Sequence, residues 1–369
     1  MRFLFVNQYG PPDPSPTARL LGELAEFLRQ NGHEVKVICQ RQNYHGRPAR
    51  GLRRLWREAL ALAAMIWAGL RTGGPAPEVV LAWSSPPGVL VAAALLARWH
   101  RARLAHWAMD LYPELAVALG EIREGVISKL VRAAMGWAYR RASLVVALDE
   151  DMREHLRHTY RIDARVQPPW PPVKLAAEID AGAYRNILPD TRVWTWLYSG
   201  NLGRAHEWRT LLDAQGLLEK RGLPVSLVFQ GDGAAVRPAR AYADSLSLKQ
   251  CQWKGYAAEE DLVASLLSAR VIVATQRPVT QRMLWPSKLA LLLHLPRPIL
   301  WVGPTRGSIA RHLSGAGQTG IFAPGQAEEV AGWIEAAHRQ TLPVPASTRA
   351  WSVVHEGCSQ MERWLSTLR

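Results

Sequence analysis

Cysteine is nearly absent. The 369 residues hold three, Cys39, Cys251 and Cys358, far apart in the chain. That spacing supplies neither a disulfide framework nor a zinc site, and it fits a reducing compartment. Long apolar runs are also missing. The run at the N-terminus turns polar at Asn7, too soon for a signal peptide, and reads as a first strand. Acidic residues are outnumbered, 31 Asp and Glu against 45 Lys and Arg, for a net charge of +14. Such a surface attracts anions: nucleotide phosphates, acidic lipid headgroups or nucleic acid. Evenly spread, solvated arginines give the same total. No P-loop, Gly-x-Ser-x-Gly elbow or Gly-x-Gly-x-x-Gly fingerprint occurs, which removes three common site designs. The basic residues form no recognisable nucleic-acid module, so nucleic acid is not an expected partner.

What is present suits a globular chain. Apolar residues make up 48% and charged residues 21%, and the length suits two domains. Apolar segments of strand length alternate with helical patterns, which implies parallel βαβ units. Strands are predicted over 2–7, 34–39, 78–83, 103–108 and 144–148, with helices over 17–30, 89–99, 128–141 and 150–158. The alternation stops at Gln167-Pro168-Pro169-Trp170-Pro171-Pro172, which reads as a stiff linker because prolines interrupt both helices and central strands. It resumes with strands over 193–198, 224–230, 250–254, 270–274, 297–302 and 320–323. A last helix is expected over about 347–368. The domains read as 1–167 and 168–345, followed by a terminal helix in 346–369.

Ligands of parallel sheets bind at the carboxyl ends of strands. There the sequence places Tyr198-Ser199-Gly200-Asn201-Leu202-Gly203-Arg204, ahead of a helix predicted over 206–219. Glycines admit an anion to the backbone, a helix start attracts it, and Arg204 adds a bidentate charge. An ordinary βα turn has the same composition without a ligand. A second segment ends a strand at Ala274. It continues through Arg277, Thr280, Gln281 and Arg282 to Trp285-Pro286-Ser287-Lys288, where proline suits the first turn of an apolar helix. Ser287 and Lys288 there can meet a ribose or diphosphate, or simply cap a helix. Gly231-Asp232-Gly233 suits close approach to a ligand or a tight turn. In the first half, the proline-stiffened loop around Gly10 can wall a cleft. His106 and Asp110, at another strand end, are candidate proton-handling groups. Asp149-Glu150-Asp151 reads as a helix cap.

One further region carries charge beside apolar surface. Arg47, Arg50, Arg53, Arg54 and Arg57 precede an apolar stretch over 59–70 with Trp56 and Trp67 at its margins. This resembles an interfacial membrane segment. A dozen apolar residues fall short of the roughly twenty needed to span a bilayer.

Taken in order, these pieces resemble a bacterial family 4 glycosyltransferase, retaining and of the GT-B fold, of the subgroup acting in capsule, O-antigen and exopolysaccharide assembly. The resemblance rests on Asn7-Gln8-Tyr9, Pro11-Pro12-Asp13, Gly32-His33-Glu34-Val35, Ser85-Pro86-Pro87 and Met109-Asp110-Leu111-Tyr112-Pro113-Glu114. The second half adds Tyr198 through Glu207, Gly231-Asp232-Gly233 and Pro286-Ser287-Lys288-Leu289. It implies an α/β protein with two Rossmann-like parallel-sheet domains facing a cleft and a C-terminal helix crossing back to the first. A nucleotide-sugar donor, by this resemblance UDP-linked, would bind mainly to the second domain, and a lipid-linked or glycan acceptor to the first. The implied enzyme is a metal-independent hexosyltransferase without a cofactor, at the cytoplasmic face of the membrane. Arg204, Lys288, Asp110 and His106 would be its catalytic set. Gly10, Ser199, Gly200, Asn201, Gly231, Arg277, Thr280, Gln281, Arg282 and Ser287 would hold the donor. The stretch near 47–70 would touch anionic membrane.

The chain departs from the family pattern where a lysine usually follows the arginine; here stand His206 and Glu207. Thr280 and Lys288 lie near the positions of a usual glutamate pair. Leu293-His294-Leu295-Pro296 replaces the usual small residues and glycine. A nucleotide-sugar epimerase of the same fold, or a non-catalytic binding module, are the alternative readings.

Overall fold

Segments such as Val-Val-Leu-Ala at 79–82 and Val-Ile-Val-Ala-Thr at 271–275 are buried along their whole length. Strands without a polar face belong in parallel sheets covered on both sides. A computed structural model describes residues 1–40, 52–187, 189, 193–339 and 354–368. The chain divides into two compact units. Unit 1 takes the described residues of 1–170, 282–285 and 352–369, and unit 2 those of 171–281 and 286–351.

Unit 1 carries strands β1 (Arg2–Val6), β2 (Glu34–Ile38), β3 (Val79–Ala82), β4 (Arg103–Trp107), β5 (Ala142–Ala147) and β6 (Arg165–Val166). Its helices are α1 (Pro16–Gln30), α2 (Leu52–Leu70), α3 (Val89–His100), α4 (Glu114–Ala118), α5 (Val126–Tyr139) and α6 (Glu150–Tyr160). The six strands are parallel in the order β2-β1-β3-β4-β5-β6. The direction of winding reverses at β1. With right-handed crossovers, α1 therefore covers one face, while α2 and α3 cover the other.

Unit 2 carries α7 (Val173–Asp180), β7 (Trp194–Ser199), α8 (Arg209–Lys220), β8 (Val225–Gln230), α9 (Val236–Ser245), β9 (Cys251–Lys254) and α10 (Leu262–Ser268). It continues with β10 (Val271–Thr275), α11 (Leu289–Leu292), β11 (Ile299–Val302), α12 (Ser308–Gly315), β12 (Gly320–Phe322) and α13 (Ala327–Arg339). Its parallel order is β12-β11-β10-β7-β8-β9, so winding reverses between β7 and β10. Trp196, Leu211, Leu227, Phe229, Val273, Leu300 and Ile334 form its core. The indole N–H of Trp196 donates to Gln215 Oε1 at 2.9 Å, so the one polar atom of that ring is paired.

The chain returns to unit 1 with α14 (Val354–Ser366). The earlier part of the expected last helix, 347–353, lies outside the described residues. Within unit 1, α14 packs on α1: Phe27 meets His355 edge to face, and His33 Nε2 lies 2.9 Å from Glu362 Oε1. Trp170, in the proline segment expected to be a linker, is buried in unit 1. Its indole N–H donates to Glu23 Oε2 at 2.8 Å, and its carbonyl accepts from Arg19 Nη2 at 2.9 Å. Gly357 of α14 has no room for a side chain, since a Cβ would fall 2.6 Å from the Trp170 ring. The prolines stiffen the segment, but the tryptophan anchors it.

Candidate functional site

In open parallel sheets the ligand site lies where winding reverses. In unit 2 the loop after β7 and the loop after β10 flank that point. Ser199, Gly200, Asn201 and Arg204 lie on the first; Arg277, Thr280 and Gln281 lie on the second.

The β7 loop is held by backbone. Gly200 N–H donates to Gln230 O, and Leu202 N–H to Asp232 O, both at 2.8 Å. The hydroxyl of Tyr198 donates to Asn201 O at 2.9 Å, and that of Ser199 to Gln230 Oε1 at 3.1 Å. Gly231 and Gly233 explain themselves here. A Cβ on Gly231, at φ +136°, would lie 2.2 Å from Gly200 O, and one on Gly233 would lie 2.5 Å from Leu202 O. The two glycine loops thus touch backbone to backbone. Gly231-Asp232-Gly233 shapes the β7 loop.

The β10 loop clamps it from the other side. Arg277 N–H donates to Ala205 O at 2.8 Å, and its guanidinium to Arg204 O at 3.2 Å. Thr280 is buried, its hydroxyl donating to Arg277 O at 2.8 Å within a short 3₁₀ turn, Pro278–Thr280. Gln276 Nε2 donates to Thr280 O at 3.2 Å. Thr280 therefore shapes the loop that carries Arg277. Arg204 and Ser287 are exposed.

Two features expected of this site differ. The helix predicted from 206 starts at Arg209, and its first turn already holds a carboxylate: Glu207 Oε1 accepts from Thr210 N–H at 3.0 Å. The helix expected after Pro286 is the four-residue turn Leu289–Leu292, too short for a useful dipole. Neither helix start supplies the free anion-binding end that the sequence suggested.

The cation is Lys288. Its Nζ is buried without a hydrogen-bond partner and sits over the Tyr198 ring, 3.3 Å from the centroid. A Cβ on Gly200 would meet Lys288 Cε and Nζ at 3.5 Å, so the amine lies against the glycine loop. Burial pushes its pKa well below the ordinary lysine value. An ammonium stripped of water is costly without a counter-charge, and the ring face offsets only part of that cost. Beside it, His206 packs edge-on to Tyr198, and its Nδ1 lies 2.9 Å from Thr275 O. Burial first, and then Lys288, depress its pKa to about 3, while the Thr275 bond opposes them. His206 is therefore neutral near pH 7, with Nδ1–H donating and Nε2 left as an acceptor. His206 was missed as a site group; its place two residues after Arg204 was the available signal.

In unit 1 the sheet reverses between β1 and β3. Gln8 N–H donates to Ser85 O at 2.6 Å, Ser85 Oγ meets Gln8 Oε1 at 3.1 Å, and Ser84 Oγ accepts from Met109 N–H at 2.8 Å. Asp110 follows β4 half-buried, and burial raises its pKa to about 6. Its backbone bridges Leu284, and Leu111 N–H donates to Met283 O at 2.8 Å, which places 282–285 in unit 1. Arg282, grouped by sequence with the donor residues, is in unit 1 with its guanidinium 3.7 Å from Glu154. His106 lies inside β4, buried, with Nδ1 3.1 Å from Ala82 O and its ring edge-on to Tyr139. Burial lowers its pKa to about 4, although the Ala82 bond opposes the shift. It is a core residue. Gly10 packs on Cys39, where a Cβ would fall 2.7 Å from the sulfur. Asp149 caps α6, accepting from Met152 N–H at 2.8 Å.

Among the described residues, no three His, Cys, Asp or Glu side chains gather as a metal-binding group. Among them, too, no helix is long and apolar enough to cross a membrane. The expected stretch near 47–70 lies partly outside the described residues; within them, α2 exposes Trp56 and Trp67.

Residues 17–171 match the family described as Glycosyltransferase Family 4. No curated protein matches the chain. Among solved structures, sucrose-phosphate synthase from Thermosynechococcus elongatus aligns with a TM-score of 0.73 at 14% identity, over 100% of this chain and 99% of that one. Anabaena HepE in complex with UDP-glucose aligns over 100% of both chains, with a TM-score of 0.67 at 16% identity. UDP-GlcNAc 2-epimerase from Neisseria meningitidis bound to UDP-GlcNAc aligns over 100% of both, with a TM-score of 0.62 at 12% identity. The chain has the GT-B fold, and its first half resembles the family 4 glycosyltransferases.

Proposed function

We propose that the chain is a retaining, metal-independent glycosyltransferase of the hexosyl type. It takes a sugar from a UDP-linked donor and passes it to a lipid-linked or glycan acceptor, in cell-surface polysaccharide synthesis at the cytoplasmic face of the membrane. The family match and the GT-B fold support the reaction class. The complexes of HepE with UDP and UDP-glucose support the donor class.

One observation carries the reading. Lys288 Nζ is buried, unpartnered and set against Gly200 at the point where the unit 2 sheet reverses. A diphosphate placed there supplies the missing counter-charge. As the glycosidic bond of the donor breaks, negative charge grows on the departing phosphate. Lys288, together with Arg204 on the β7 loop, then stabilises the transition state more than the ground state. Arg277 holds the loop through Arg204 O and Ala205 O and so positions that charge. Neutral His206 offers Nε2 as an acceptor to a donor hydroxyl. Asp110, with its carboxyl poised by burial, serves the acceptor side in unit 1.

Thermal unfolding with a panel of nucleoside diphosphates tests the binding step. UDP at about a hundred times its dissociation constant stabilises the fold by about 2.7 kcal/mol. No shift with any nucleotide contradicts the reading. The epimerase likeness supports a second reading, in which the same diphosphate site serves isomerisation of the sugar. Product analysis separates the two. A new UDP-sugar formed without any acceptor favours the epimerase, and sugar transfer in the presence of EDTA supports metal-independent transfer.

A further inference from the structure

The face of unit 1 covered by α2, α3 and α5 is unusual for a water-facing surface. α3 packs between the other two. Gly69 of α2 lets Leu96 of α3 close in, since a Cβ there would fall 2.5 Å from Leu96 Cδ2, and His100 Nε2 lies 2.9 Å from Gly69 O. The three helices are thereby fixed as one layer. Their inner sides bury Met65, Leu90, Leu96 and Met135. Their outer sides are also apolar. Trp56, Leu60 and Trp67 stand out from α2, Trp99 from α3, and Ile127 and Leu130 from α5; exposure runs from 58% at Trp67 to 70% at Trp56 and Ile127. On α2 these residues recur at helical spacing, so they form a stripe. Exposed apolar side chains gathered on one helical layer mark an interaction surface.

Charge identifies the occupant. Arg57 lies beside Trp56, Arg98 beside Trp99, and Lys129 between Ile127 and Leu130, all exposed. The guanidinium of Arg71 stacks on the Trp67 ring, 3.7 Å from its centroid. Glu58 is the one acidic residue in the sequences of these three helices. Tryptophans with basic neighbours suit the boundary between headgroups and acyl chains, where stems lie in apolar surroundings and charges reach the phosphates. A second copy of the chain would set Arg57, Arg98 and Lys129 against like charges.

We infer that the α2, α3 and α5 face of unit 1 docks on an anionic lipid bilayer, with Trp56, Trp67, Trp99 and Ile127 entering the interface and Arg57, Arg98 and Lys129 pairing with headgroup phosphates. This widens the contact expected of the 47–70 stretch to three helices. It stands on unit 1 alone and does not depend on which sugar reaction unit 2 supports.

The test is flotation of the full chain with vesicles of phosphatidylcholine alone and with about a third phosphatidylglycerol. The protein floats with the anionic vesicles and is released as salt rises, because surface pairing is screened. Trp56→Ser/Trp99→Ser/Ile127→Ser weakens binding about tenfold or more while leaving the unfolding temperature and UDP binding unchanged. Arg57→Glu or Lys129→Glu weakens it by about fivefold or more each. Equal flotation of the triple variant and the parent overturns the inference. So does a failure to bind anionic vesicles, whether the parent is then a monomer or a dimer that the triple variant dissociates. Retained UDP binding in every arm keeps this result separate from the fate of the transferase reading.

Discussion

The strand ends of the two sheets look alike in topology and differ in chemistry. Around the reversal point of unit 1, Gln8, Ser84 and Ser85 bond to neighbouring loops, His106 is absorbed into the core, and the two buried polar atoms left without a hydrogen-bond partner, Asn7 Oδ1 and Trp83 Nε1, are uncharged. In unit 2 the reversal point keeps a buried lysine amine without a hydrogen-bond partner, set against the clamped β7 loop. Sites that await a charged ligand are expected to be poorly satisfied without it, because an unpaired buried charge is expensive. The contrast supports the proposal that the anion binds in unit 2.

The sharpest way to break that contrast is to remove the cation. Lys288→Met lowers transfer about a hundredfold or more, on the order of 3 kcal/mol of transition-state stabilisation. It also raises the unfolding temperature of the ligand-free protein, because the buried unpaired amine is gone. Steady-state rates and calorimetry read the two effects, and a variant that is less stable and fully active refutes the assignment. Next in size is Gly231→Ala. Its Cβ meets Gly200 O, and its φ of +136° is strained for any side chain, so a loss of about 3 kcal/mol is expected in denaturant unfolding. Weakened UDP binding accompanies it, since the β7 loop must move.

Much of this was legible in the sequence. The alternation of strands and helices and the glycine loops after β7 and β8 read directly. Other parts were not. Residues 282–285 belong to unit 1 through a backbone pairing with Asp110 and Leu111, and no local pattern announces a long-range pairing. Arg282 was grouped with its sequence neighbours for that reason. The late start of α8 did leave a signal, Glu207 three residues before Thr210, which marks a carboxylate reaching a helix N–H. Lys288 reads in sequence as an exposed polar residue after proline and serine. Its burial depends on Tyr198, ninety positions away in the chain, so no spacing reveals it.

Unit 1 supplies the smaller predictions. Folding raises the pKa of Asp110 from 3.8 to about 6, so the native state holds that proton more tightly than the unfolded chain does. Stability from this group is full below pH 3.8 and lost as pH rises through about 6. Asp110→Asn therefore stabilises the protein by about 2 kcal/mol at pH 7.5 and by little at pH 4. Equal effects at the two pH values contradict the assigned burial. Smallest is His106→Phe, which keeps the ring against Tyr139 and loses the bond to Ala82 O. A cost of about 1 kcal/mol in stability is expected, with transfer rates unchanged; a large fall in rate returns His106 to the catalytic set.

The central claim is that Lys288 waits for a diphosphate. Isothermal titration of UDP into the parent and into Lys288→Met, from pH 7 to 9 in buffers of different ionisation enthalpy, tests it most directly. Binding is expected to weaken by about thirtyfold or more in the variant, roughly the 2 kcal/mol or more of one charge-assisted bond. An anion beside the amine raises the depressed lysine pKa, so any proton uptake that accompanies binding in the parent is absent from the variant. Equal affinity in the two proteins, with no difference in proton uptake, contradicts the account.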